Sequence, residues 1–157
     1  MAHAAVGIHE HITVEPWEER EGSLFPGRFV RVRGVVFGTL PNKSNARKIV
    51  RFGDRPAIIK SAEARAWEKR FNGIALSGRP PKPLTGTFAL HAVVYYDSMR
   101  RDLDIELLAD ALQRSGIIEN DRAIWHKEST RRLDQDCPRV EFDLTPWEVI
   151  DTGRTRI

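Results

Sequence analysis

Apolar and polar positions alternate along this chain in a way that predicts several strands and two helices. Residues 87–96, TFALHAVVYY, are the most strand-like run. Near-continuous apolarity over that length predicts a central strand covered on both faces, with His91 packed inside it. Residues 28–38, RFVRVRGVVFG, place Val30 and Val32 between Arg28, Arg31 and Arg33, the pattern of a half-buried strand with a basic face. Residues 49–60 read as a short hairpin turning at Phe52-Gly53-Asp54-Arg55, where glycine and aspartate favour a turn. Residues 122–129, RAIWHKES, predict a further strand with Ile124 and His126 on one face and Trp125 and Lys127 on the other. A last strand spans about Arg139–Leu144 and is stopped by Pro146 and Trp147.

The first helix is expected over about 62–71, AEARAWEKRF, capped by Ser61 and with Glu63 in its first turn. Ala62, Ala66, Trp67 and Phe71 would face the core, and Arg65, Lys69 and Arg70 the solvent. The second lies within RRDLDIELLADALQRSG, residues 100–116. There Leu103, Leu107, Leu108, Ala111 and Leu112 form an apolar stripe, and Ser115-Gly116 supplies the stop. Asp102 or Asp104 is the plausible cap. Residues 39–48, TLPNKSNARK, and 77–86, SGRPPKPLTG, are loops, the latter enforced by Pro80, Pro81 and Pro83.

A length of 157 residues suits one domain with a single core. The lone Cys137 rules out an internal disulfide, suits a reducing interior and is expected to be a small buried residue. No long apolar run or secretory leader is visible, which points to the cytoplasm. The net charge of +3 hides a strong asymmetry. Residues 1–27 carry −4, residues 28–70 carry +9, and residues 71–157 carry −2. Residues 1–27, with His9 and His11, read as a loosely docked acidic arm, and 151–157 as a tail.

The second helix concentrates the chemistry. Asp102, Glu106 and Asp110 are spaced by four and would share one helical face. Their repulsion calls for an offset, and a hard divalent cation such as Mg²⁺ takes carboxylate oxygens. In the basic segment, Asn42, Lys43, Ser44, Asn45, Arg47 and Lys48 offer donors and charge suited to phosphate oxygens. A basic middle beside an acidic cluster is the layout of a surface that grips phosphates next to a metal centre.

Taken in order, the loop PNKSNARK, the helix opening SAEARAW, the segment RRDLD, then DALQRSG and ENDRAI resemble the RusA family of Holliday junction resolvases over about residues 30–145. The predicted elements and this resemblance together imply an α+β fold, a small mixed sheet packed by two helices, in a domain spanning 28–150. The resemblance implies an Mg²⁺-dependent endonuclease, with Mn²⁺ as a possible substitute. It would act as a homodimer on branched DNA, the four-way junction. Family members carry three essential aspartates, here Asp102, Asp104 and Asp121. The family's lysine in this helix has no counterpart, because DAL is reached about two residues sooner. Aligned without a gap from DAL, Asp102 falls on the second family aspartate and Glu106 on the lysine position.

Asp102, Asp104, Glu106 and Asp121 are therefore the expected catalytic set, with Asp110 added as a metal ligand. Lys127 or Arg101 would supply the missing positive charge. Lys43, Asn45, Arg47, Lys48, Arg65, Lys69, Arg100, Arg101 and Lys127 are the expected DNA contacts. Asp121 and Asp102 are expected to share a pocket. The alternatives are a branched-DNA-binding protein whose chemistry has lapsed, and an acidic helix face that is merely solvated.

Overall fold

The computed structural model describes residues 7–16, 30–43 and 47–147. Their elements run β1 (His11–Pro16), β2 (Val30–Phe37), β3 (Arg47–Phe52), β4 (Arg55–Lys60), α1 (Ala62–Gly78), β5 (Phe88–Tyr96), α2 (Glu106–Arg114), β6 (Ile124–Leu133) and β7 (Arg139–Pro146). Five strands form a mixed sheet in the order β1-β2-β7-β5-β6, and β3-β4 stand apart as a two-stranded ribbon. The β5–β6 pair is parallel and the other neighbours are antiparallel. A parallel pair needs a crossover, and α2 with its flanking loops supplies it. The fold is thus the expected α+β arrangement of a mixed sheet and two helices.

Both helices pack on one face of the sheet. Phe71 of α1 stacks on Phe142 of β7. Leu107, Leu108, Ala111 and Leu112 of α2 join Val32, Leu90, Val94 and Leu144 in the same core. Gly34 is required beneath Phe142, since any side chain there would overlap the ring. The opposite face carries Arg31, bonded to Asp143, and Arg139. Arg139 is almost fully buried, paired with Asp134 and Glu141 and lying over the Tyr95 ring. Burial opposes its charge, but the bonds to Glu141 and Asp134 outweigh that and raise its pKa.

Several expectations need correction. His11–Pro16, read as part of a loose arm, is an edge strand, with Ile12 buried and its partners on β2 in register. Helix α1 is longer than its pattern suggested and turned by a small angle. It buries Ala64, Trp67, Phe71 and Ala75, while Ala62 and Ala66 are exposed. Ser61 caps it as expected, its Oγ accepting from the Ala64 amide at 3.2 Å.

Strand β5 is central but covered on one face only, so His91 is exposed rather than packed. Helix α2 begins at Glu106, which leaves Asp102 and Asp104 in the preceding loop and not on a helical face with Asp110. In β6 the pairing slips between Phe88 and Ala89, leaving Trp125 as an extra residue. A bulge of this kind resets the alternation. Ile124 and Lys127 consequently share the helix-facing side, while His126 faces away. Cys137 is only half-buried, in the loop before β7. Asn45, part of the 1–27 arm and the 151–157 tail lie outside the described residues.

Candidate functional site

The loop from Tyr96 to Glu106 is fixed by hydrogen bonds at both ends. Tyr96, buried at the end of β5, donates its hydroxyl to the Asp102 carbonyl oxygen at 3.0 Å. Burial raises the phenol pKa, keeping it a donor. At the other end the Asp104 carboxylate spans two chain segments. Oδ1 accepts from the Glu106 amide at 2.9 Å, and Oδ2 accepts from the Lys43 amide at 3.0 Å. Ile105 holds the cap position of α2 without a capping side chain, so Asp104 fills that role from one residue earlier. One carboxylate thereby starts the helix and pins the basic loop against it.

The face of α2 continues this contact. Glu106 Oε1 meets the Lys127 ammonium at 2.8 Å, and Asp110 Oδ2 meets the Lys43 ammonium at 3.2 Å. The two lysines arrive from different elements, β6 and the loop after β2. They supply the positive charge that balances these carboxylates, so charge balance alone does not call for a divalent cation. Beside the helix start lies a cleft of about 220 Å³ whose walls include Asn42, Glu63, Tyr96, Arg100, Arg101 and Asp102. That volume suits a hydrated ion or a phosphate group better than a drug-sized ligand. Arg101 reaches both Asp97 and Glu63, and its carbonyl accepts from Arg131 at 3.0 Å.

Contacts along α2 thus link Lys43 to Asp104 and Asp110 and Lys127 to Glu106, while Asp102, Arg100 and Arg101 line the neighbouring cleft. Among the described residues, no three of these carboxylates lie close enough together to hold an ion as they stand. Of the expected acidic set only Asp102 lines that cleft, so Asp121 does not share its pocket as expected, and neither do Asp104, Glu106 and Asp110. Its backbone amide donates to Gln113 Oε1 at 2.9 Å, in the last turn of α2. Gln113 lies two turns along the helix from Glu106, a rise of about 10 Å.

Arg47 and Lys48 lie on the exposed β3–β4 ribbon with Arg51 and Arg55, around the exposed side chains of Ile49, Phe52 and Ile58. Arg65 and Lys69 are exposed on α1. Sequence reasoning missed Tyr96, Glu63, Gln113 and Arg131, whose roles depend on contacts between distant segments. It also missed that His91, His126 and Glu128 come together, their ligand atoms all within 4.8 Å of one another, as a group that could hold a metal ion.

No protein-family model matches the chain, and no curated protein matches it. Among the described residues, no helix is long and apolar enough to cross a membrane.

Proposed function

We propose that the protein is a metal-dependent endodeoxyribonuclease hydrolysing phosphodiester bonds in four-way and other branched DNA, like the RusA-type resolvases it resembles. One observation carries this reading. The basic loop and the acidic helix start are one unit, because Lys43 gives its amide to Asp104 and its ammonium to Asp110. A phosphate held by the loop would lie beside the carboxylates. The acidic donors are all oxygen, which fits a hard cation such as Mg²⁺ or Mn²⁺. Asp102, Asp104, Glu106 and Asp110 are the residues that would hold it, though among the described residues no three of their carboxylates already lie together as a ligand set. Asp104 keeps free lone pairs while bonded to two amides. Such an ion, when bound, polarises a phosphodiester and acidifies water.

The chain's own groups do the rest. Tyr96 and Asp104 set the loop that presents Asp102, and Lys43, Arg100 and Arg101 supply charge for phosphate oxygens. A Lys43 or Lys127 ammonium released from its carboxylate by a cation would be free to meet the DNA backbone. Lys127 stands on Glu106, the position aligned without a gap to the family's lysine, so β6 would return the charge that the helix lacks. A four-way junction has two-fold symmetry and needs paired cuts, for which a homodimer is the matching assembly.

A second reading is a branched-DNA-binding protein without nuclease chemistry. It is favoured by the placement of Asp121 against Gln113, outside the Asp102 cleft. The two are separated by incubating a labelled four-way junction and Mg²⁺ with the wild-type protein and with Asp102→Asn and Asp121→Asn. Cleavage lost in Asp102→Asn, with the gel shift retained, supports the nuclease. Cleavage that persists in Asp121→Asn confines the centre to the helix start. A shifted but uncut junction supports the binder, and neither shift nor cut removes both readings.

A further inference from the structure

On the sheet face turned away from α2, two histidines and a glutamate converge without any part in the site above. The parallel register sets His91 of β5 opposite Glu128 of β6, with His126 two residues before Glu128 on the same strand face. Lys127, between them, points to the other side and meets Glu106. We infer that His91, His126 and Glu128 form a binding site for a zinc-class transition-metal ion. The inference does not depend on the nuclease reading.

The geometry is close to what such an ion requires. Ligands about 2.0–2.1 Å from a tetrahedral centre stand about 3.3 Å apart. Here His91 Nδ1 and Glu128 Oε2 are 3.1 Å apart, and His126 Nε2 and the same oxygen are 3.7 Å apart. Two imidazoles and one carboxylate suit Zn²⁺ and its neighbours and are a poor set for Mg²⁺, which prefers oxygen. All three residues are solvent-accessible, Glu128 the most, with its side chain 66% exposed. A fourth coordination position would thus be open to water.

A further contact orients the site. The Trp147 ring stacks on His126, with centroids 4.6 Å apart and planes within 6°. Trp147 is itself anchored to Thr87 by two hydrogen bonds, its amide donating to the Thr87 carbonyl and its carbonyl accepting from Thr87 Oγ1. This explains why a large ring stays on the surface there. The ring holds the imidazole in one orientation, as supporting residues do for metal-bound histidines. An ion bound here would clip the edge strand β6 to β5.

The test is titration with Zn²⁺ in excess Mg²⁺, which saturates oxygen-only sites, followed by equilibrium dialysis and thermal melts. A Co²⁺ absorption spectrum reports imidazole coordination. The expected result is one Zn²⁺ per chain and a Zn²⁺-dependent rise in Tm by mass action. Affinity should fall about tenfold or more in His91→Gln, His126→Gln and Glu128→Gln. Trp147→Ala removes a stacking contact on His126 and should weaken binding by up to about tenfold. If a histidine variant fails to fold, Glu128→Gln decides, because that side chain is the most exposed of the three. Absence of stoichiometric Zn²⁺ binding, or binding that none of these substitutions weakens, overturns the inference.

Discussion

The Lys127 ammonium lies 2.8 Å from the Glu106 carboxylate and joins edge strand β6 to the first turn of α2. Both side chains are partly solvated, so the pair contributes at most about 1 kcal/mol to stability. Lys127→Met should change the free energy of unfolding by less than about 1 kcal/mol, measured by urea denaturation. Junction cleavage under the proposed function should drop about tenfold or more, as removal of one charge-stabilising donor does. An unchanged cleavage rate would leave the pair a surface contact only.

Asp104 does a different job from its neighbours, because it holds two backbone amides. Asp104→Ala should cost about 1–2 kcal/mol, as the loss of a capping side chain does. It should also speed hydrogen exchange at the Lys43 and Glu106 amides. Asp104→Asn keeps one oxygen acceptor and should lose less stability. If exchange at Lys43 is unaffected by Asp104→Ala, the loop is not pinned by this carboxylate.

Stability at low pH should depend on Asp134. The hydrogen bond from Arg139 is the main reason its pKa lies below the usual carboxylate value, and the Cys137 amide adds to it. A lowered folded-state pKa gives stability that is present above the unfolded value near 4 and is lost as pH falls through the folded value. Asp134→Asn should lower stability at neutral pH by roughly 1–2 kcal/mol. The difference between variant and wild type should shrink as the pH is taken below 4, measured by chemical denaturation across pH.

The last turn of α1 presses on strand β1 at Gly78. Any side chain there would overlap the Ile12 carbonyl oxygen, which belongs to the backbone and cannot swing aside. Gly78→Ala should therefore destabilise the protein by about 3 kcal/mol, at the upper end of overpacking costs. Gly73→Ala, on the same helix with open space around it, should instead stabilise by several tenths of a kcal/mol. A calorimetric Tm comparison of the two variants checks both signs.

Local chemistry made much of the architecture legible from sequence. Ser61 and the turn at Gly53-Asp54 act within a few residues, so their roles could be read without the fold. The apolar stripe of α2 was equally visible, because Leu107, Leu108, Ala111 and Leu112 repeat at the helical period. The acidic residues near that helix were identifiable too. The expectation that Asp102, Glu106 and Asp110 share one helical face fails, because Asp104 accepts from the Glu106 amide and the helix starts only there, leaving Asp102 and Asp104 in the loop ahead of it.

Tertiary structure alone decided which charges meet. Strict alternation put Lys127 on the side away from Ile124, but one extra residue at Trp125 turned it toward Glu106. That same slip placed His126 and Glu128 beside His91. Sequence determines the period of each strand. Register between strands is set by long-range pairing, and a one-residue shift exchanges the two faces for every side chain beyond it.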